Sequence, residues 1–274
     1  MLYKKLYARL ILVIFILHPR RSAKTQNYLS YNKISIMMEK KIAIYPAAAL
    51  FNGRETHFNS QLVEGLKGLG YKTNFPQRDG FEFGNLTEVL SGKLQQDQIG
   101  SAVQNIIYFL DMGVFVPKSD VVLANLDEPL DEGVMIETSY AKLMGKFVIG
   151  LRTDVRSPYG IPTDNFGGMH FFPAYQTHQF IHHYMPSKTP EERNEQMSSL
   201  VQRIDNTIKT AGITHINTIP KYAKNNPNLQ PILEGADLLF SGITDIHSER
   251  GLEKIASRYI KYQERLKEIG PKLL

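Results

Sequence analysis

The 274-residue chain contains no cysteine, which excludes disulfides, thiolate catalysis and cysteine-based zinc sites. It carries neither a P-loop nor a Gly-x-Gly-x-x-Gly fingerprint, so no bound nucleotide cofactor is indicated and none is expected. No internal repeat is visible. Acid is missing from residues 1–37, which hold Lys4, Lys5, Arg9, Arg20, Arg21, Lys24 and Lys33. Those seven cations exceed the net charge of +5, so the rest of the chain carries −2. The pI near 9.1 is therefore a local property, and nucleic-acid binding through a basic surface is not expected. The apolar run Leu10 to Leu17 is far short of the roughly 20 residues that span a bilayer. It resembles the core of a signal peptide, but His18-Pro19-Arg20-Arg21 follows where a small-x-small cleavage site would stand. Residues 1–37 are thus read as a leader or an extension outside the fold, with the native start at Met37 or Met38. The alternative is a membrane-tethering leader. The folded part is expected in the cytoplasm, away from membranes.

The 42% apolar fraction suits a chain with a sizeable core. Its pattern alternates strand and helix. Lys41 to Tyr45 is a β-branched run that Pro46 is expected to end. Phe58, Leu62, Leu66 and Leu69 recur at helical spacing up to Gly70. Tyr71 to Phe75 reads as a second strand, and residues 77–96 as loop with at most one short helix. Ile99, Val103, Ile106, Ile107 and Leu110 make a second stripe. Val121 to Leu126 is a third strand, Gly133 to Met144 a loop and helix, and Phe147 to Leu151 a fourth strand. This order argues for an α/β fold, a doubly wound parallel sheet of Rossmann or flavodoxin-like type, over residues 38–185.

Residues 186–274 read as a helical extension. Thr189-Pro190-Glu191-Glu192 is a helix start, with Met197, Leu200, Ile204 and Ile208 behind it and Gly212 as the stop. A further stripe runs from Leu252 through Ile255, Tyr259, Tyr262 and Leu266 to Ile269, ended by Gly270-Pro271. No chemistry is evident in this extension, and its alternative reading is a role in assembly.

The acids after the third strand carry most of the functional signal. Asp131 and Glu137 are expected in a loop at the C-terminal end of a buried strand, the edge where open α/β sheets bind ligands. A carboxylate at a helix mouth is held by unpaired N–H groups and the helix dipole, stays anionic, and can attack carbon. The plainer reading of such an acid is a helix cap. Asp111 is either a helix C-terminal residue, where an acid is unfavourable, or functional. Tyr45 is either core or functional, and Asp127 either binds substrate or solvates a loop. Arg152, Asp154 and Arg156 read as a surface ion-pair cluster before a phosphate site. His178 and His182, four apart on a possible helix, lack a third ligand nearby, so no metal site is expected.

Six segments now stand in order. They are Tyr45 to Asn52, Phe75 to Gly80, Ile106 to Asp111, Ser119 to Asp127, Asp131-x-Gly133-x-x-x-Glu137-x-x-Tyr140-Ala141, and Gly145 to Asp154. In this order and spacing they resemble the nucleoside 2-deoxyribosyltransferase family over about residues 40 to 170. The resemblance implies that Glu137 is the nucleophile at the anomeric carbon, forming a covalent glycosyl-enzyme. It implies that Asp111 contacts the base and supplies a proton, and that the Tyr45 hydroxyl steadies Glu137. Asp131 would bind sugar hydroxyls. Phe51, Gln77 and Asp79 would pack on and orient the base, and Asn165 would reach the sugar of a neighbouring subunit in a homo-oligomer with shared sites. Two positions depart from the family pattern. Ser139 replaces a glycine and Val134 replaces a threonine, without removing a group the chemistry needs. The implied substrates are a nucleoside and a free nucleobase. Alternatives are a hydrolase acting on nucleosides or their 5′-monophosphates, and a non-catalytic nucleoside sensor. The Ala47-Ala48-Ala49 loop offers no hydroxyl for a phosphate, which favours nucleosides.

Overall fold

The computed structural model describes residues 41–213 and 219–270. The leader 1–37 and Pro271 lie outside these residues. Five strands form one parallel sheet: β1 (Ala43–Ala47), β2 (Lys72–Thr73), β3 (Val121–Asn125), β4 (Phe147–Arg152) and β5 (Gln179–His182). Their order, β2-β1-β3-β4-β5, is the flavodoxin-like one of the two doubly wound types expected, with β5 added to the four strands read from the sequence. The order reverses between β1 and β3, which opens a crevice at their C-terminal ends.

Pro46 does not end β1 but sits inside it, opposite Leu123. The strand tolerates it because of where its missing N–H points. Ala43 accepts from Asp120 N–H on the β3 side, and Ile44 from Asn74 N–H on the β2 side. By alternation Pro46 faces the β2 side, where the two-residue β2 has already stopped, so no ladder bond is lost.

The helices cover both faces. α1 (Gly53–Gly68) starts at Asn52, whose Oδ1 accepts from Arg54 and Glu55 N–H at 3.0 and 3.2 Å. Asn52 is thus the cap of α1. Residues 77–96 hold more helix than their polarity suggests. A turn spans Pro76–Asp79, and α2 (Phe83–Ser91) buries Leu86 and Leu90. α3 (Gln96–Leu110) runs straight into a π turn, Asp111–Phe115. α4 is Glu132–Leu143, and a short turn follows at Phe171–Tyr175. α5 (Pro190–Thr210) is capped by Thr189, which accepts from Glu192 N–H.

α1 and α5 share one sheet face. Leu62 and Leu66 meet Leu200, Val201 and Ile204 over Ile44, Val121, Leu123, Ile149 and Leu151. A Cβ on Gly65 would lie 2.6 Å from a Val201 methyl, so the glycine is what lets these helices approach. α5 therefore belongs to the layers of the sheet as well as opening the C-terminal segment. The other face carries Tyr45, Val122, Ala124 and Val148 against α3 and α4. Behind α3 lie α6 (Gln230–Phe240), α7 (Glu249–Lys261) and α8 (Gln263–Ile269), after a turn at Lys221–Lys224. The stripe from Leu252 to Ile269 is broken in two at Tyr262.

β5 replaces the helix expected around His178 and His182. His182 ends the strand, and His178 Nδ1 accepts from Val148 N–H at 3.0 Å while its ring stacks on Phe147. Among the described residues no group of three or more His, Cys, Asp or Glu side chains is placed to hold a metal ion. No helix among them is long and apolar enough to cross a membrane.

Candidate active site

The site lies at the C-terminal edge of β1 and β3. Tyr45, on β1, is buried among apolar side chains and points its hydroxyl at α4. It donates to Glu137 Oε1 at 2.7 Å. Glu137 is not in a loop or at the helix mouth. It lies in the second turn of α4, and Asp131 occupies the cap, its Oδ1 accepting from Val134 N–H at 2.8 Å. The N–H groups at the start of α4 therefore stabilise Asp131, while Glu137 relies on Tyr45. Ser139, the departure from glycine, folds its hydroxyl back onto Met135 O at 2.9 Å. Val134 is buried in the core.

Asp111 opens the π turn after α3, a local unwinding that turns its side chain toward the same region. Burial pushes its carboxyl up to about 7. Burial pushes Glu137 up to about 8, reinforced by the charges of Asp111 and Asp131 and opposed by the Tyr45 hydrogen bond. Burial, together with the Glu137 and Asp111 charges, holds the Tyr45 hydroxyl well above the ordinary phenol range, so it remains a donor. Two carboxyl groups that resist ionisation side by side hold one proton between them near neutral pH. The Tyr45 donor works the other way, because it favours the ionised form of the group it touches.

Two clefts adjoin this cluster. One, of about 530 Å³, is lined by Leu50, Gln77, Phe81, Ile107, Asp111 and His247, among others. The other, of about 340 Å³, is lined by Asn52, Arg54, Asp127, Asp131, Thr153 and Arg156, among others. Tyr45 and Glu137 are absent from both sets of described lining residues. Asp111 on the larger cleft and Asp131 on the smaller are both close enough for their charges to act on Glu137.

The remaining expected residues divide. Gln77 lines the larger cleft, its Nε2 donating to Thr56 O and Ser60 Oγ. Thr56 O can only accept, which fixes the amide orientation and leaves Oε1 buried without a partner. Asp79 turns away: it accepts from Phe75 N–H at 2.8 Å and pairs with Arg78. Asp127 lines the smaller cleft but spends both oxygens on Thr153 and the Asp154 N–H, tying the β3 and β4 ends together. Phe51 is 79% exposed and lines neither cleft. Asn165 is exposed in a turn that Asp164 holds, accepting from Phe166 and Gly168 N–H at 2.8 Å each.

The Arg152 cluster is not a surface one. Arg152 is fully buried, donates to Leu126 O at 2.9 Å and to Arg156 O, and pairs with Glu128 and Asp154 at 3.5 and 3.3 Å. Sequence reasoning missed Arg54 and His247 as cleft residues. Arg54 stands two residues after the Asn52 cap, a spacing that could have placed it at this edge. His247 had no local signal.

A search of curated proteins finds no match. Several solved structures are similar at low identity. A conserved protein from Enterococcus faecalis V583 is 20% identical, with TM-score 0.37, over 58% of this chain and 99% of its own. The CMP N-glycosidase BcmB of Clostridium botulinum is 15% identical, with TM-score 0.34, over 60% and 98%. The sugar isomerase domain of an RpiR transcription factor from Sphaerobacter thermophilus is 13% identical, with TM-score 0.32, over 77% and 86%. The family model described as nucleoside 2-deoxyribosyltransferase matches residues 44–210, from β1 to the last residue of α5. That span exceeds half of the chain, and the protein belongs to the nucleoside 2-deoxyribosyltransferase family.

Proposed function

We propose that the protein cleaves the N-glycosidic bond of 2′-deoxynucleosides through a covalent sugar ester on Glu137 and transfers the sugar to another nucleobase. The observation that carries this reading is the Tyr45 to Glu137 hydrogen bond at 2.7 Å, with the half-buried Asp111 carboxyl close enough for its charge to act on Glu137. In the first step the Glu137 carboxylate attacks the anomeric carbon. The bond to the base nitrogen breaks, and its electron pair leaves with the base. Asp111 gives its proton to that base, so a neutral base departs. In the second step the nitrogen of an incoming base attacks the same carbon, the ester breaks, and Asp111 takes a proton back. This is the double displacement of a retaining glycosidase with a base as acceptor. The single shared proton suits it, because the reactive form needs Asp111 protonated and Glu137 ionised. Burial holds both carboxyls toward their protonated forms. A bound base with a lone pair near Asp111 favours protonated Asp111 and so shifts the proton to the donor. Gln77 would orient the base and Asp131 the sugar hydroxyls. Asp127 acts through the loop it ties. Phe51 and Asn165 would serve only where a loop or a second subunit brings them in.

The test mixes purified protein with a deoxynucleoside and a different free base, then separates products by chromatography. New nucleoside marks a transferase. Free sugar and base alone mark a hydrolase. The hydrolase reading on 5′-monophosphates has one supporting feature: Arg54 and Arg156 share the cleft of Asp131 and offer cations to a phosphate. Faster cleavage of monophosphates than of nucleosides would favour it.

Assembly belongs to the same proposal. Phe172, Tyr175 and Tyr159 are 62%, 59% and 66% exposed around the turn that carries Asn165. Such a patch suits a homo-oligomer. Light scattering giving a monomer would count against a shared site.

A further inference from the structure

The C-terminal helices lie outside the family match, yet they reach the site. α6 packs directly on the π turn that begins at Asp111. Two glycines permit the contact: a Cβ on Gly113 would strike Ala236, and a Cβ on Gly235 would strike the Phe109 ring. α7 is tied to the same layer by the Lys93–Glu253 ion pair at 2.9 Å and by Asn105 donating to Tyr259 Oη at 3.4 Å. The loop between α6 and α7 is held at both ends. Arg258 Nη1 donates to Leu239 O and Ser241 O at 3.1 and 2.7 Å. Asp245 Oδ1 accepts from the N–H groups of His247 and Ser248, each at 3.2 Å, and Ser248 caps α7. This loop sets His247 in the wall of the 530 Å³ cleft that also holds Gln77 and Asp111.

We propose that His247 contacts the nucleobase in this cleft, so that the C-terminal extension sets base specificity. The inference rests on the functional reading above and extends it to residues beyond the matched segment. A neutral imidazole offers one N–H, one lone pair and a flat face. Phe81 supplies a second ring in the same wall. The base is the planar, hydrogen-bonding part of the substrate, and a loop already fixed at both ends loses little entropy in meeting it. The smaller cleft has no described lining residue from the extension, so the sugar side is not affected.

The test uses the full chain and His247→Ala. Adenine, cytosine and 2-deoxyribose are each titrated by calorimetry, and kcat/KM is measured for 2′-deoxyadenosine and 2′-deoxycytidine. The expected result is a change of about tenfold in the ratio of adenine to cytosine affinity, with the same change in the kcat/KM ratio and none in sugar binding. Gly251→Ala, whose new methyl would collide with the Asp245 carbonyl, displaces the loop from outside the cleft and should move the ratio the same way. Unchanged ratios in both variants, or an altered melting temperature with unchanged affinities, would overturn the inference. So would a wild-type chain that binds neither base. A chain that binds bases with the expected ratio change but cleaves neither nucleoside would refute the glycosidic-cleavage reading and leave the base cleft standing.

Discussion

Two groups of acids share the C-terminal edge of the sheet and are treated in opposite ways. Around Arg152, Glu128 and Asp154 face a fully buried guanidinium, and Asp127 is saturated by backbone and threonine donors. Around Tyr45, burial raises Glu137 and Asp111, and no cation is among the influences that shift either one. The first group joins the ends of β3 and β4. The second places two acids together with no cation among those influences, Glu137 being held by the Tyr45 hydroxyl, a cost to folding that fits a group kept for chemistry. The difference teaches that acidity at this edge is not by itself functional. What separates the acids is whether the fold sets a cation or backbone donors against them.

The contrast breaks most visibly at Glu137. Glu137→Gln and Glu137→Ala are expected to abolish turnover in the chromatographic assay while leaving the circular dichroism spectrum unchanged. The glutamine variant should also melt higher than wild type above pH 8. The sign follows from the raised pKa: a buried acid favours folding while protonated, and that benefit is lost as pH rises through about 8. Substantial activity in the alanine variant would remove Glu137 from the chemistry.

Asp111→Asn should lower kcat by about 100- to 10,000-fold, with a smaller change in KM, because proton donation acts in the transition state. A variant within a few-fold of wild type would reduce Asp111 to a base-positioning or helix-end residue.

Arg152→Met tests the other half of the contrast. It leaves Glu128 and Asp154 without their buried partner, and the expected loss is about 3–5 kcal/mol in denaturant unfolding. A stable variant would mean that the Arg152 cluster is no better compensated than the Tyr45 one.

Tyr45→Phe is expected to have the smallest effect, about 1.5–3 kcal/mol of transition-state stabilisation, the worth of one hydrogen bond to a charge. The wild-type pH profile of kcat/KM should be bell-shaped. It falls below about 7 as the pair takes up its second proton and above about 8 as it loses its last. Removing the Tyr45 donor should move the alkaline limb upward, since Glu137 then binds its proton more tightly. An unmoved limb would mean that the hydrogen bond does not tune the pair.

Much of this arrangement is legible in the chain, because it is built from local patterns. The strand-helix alternation marks four of the five strands, and the six ordered segments single out Tyr45, Asp111, Asp131 and Glu137. What escapes is whatever depends on neighbours distant in sequence. Pro46 looks like a strand end until the shortness of β2 removes the hydrogen bond it would break. Gln179–His182 is too short and polar to announce a strand and takes its pairing from β4. Arg152 looks like a surface charge because its partners, Glu128 and the Leu126 carbonyl, arrive from another strand's end. The π turn at Asp111 has no sequence period of its own. His247 enters the site only through helix packing.

The most direct test of the account is to trap the sugar on the enzyme. Wild-type protein is incubated with a slowly turned-over 2′-deoxynucleoside, quenched, and mapped by peptide mass spectrometry. The account predicts one deoxyribosyl adduct, on Glu137, that disappears in Glu137→Gln and is discharged by adding a free base. An adduct on Asp111 or Asp131, or turnover with an unmodified Glu137 throughout, would contradict it.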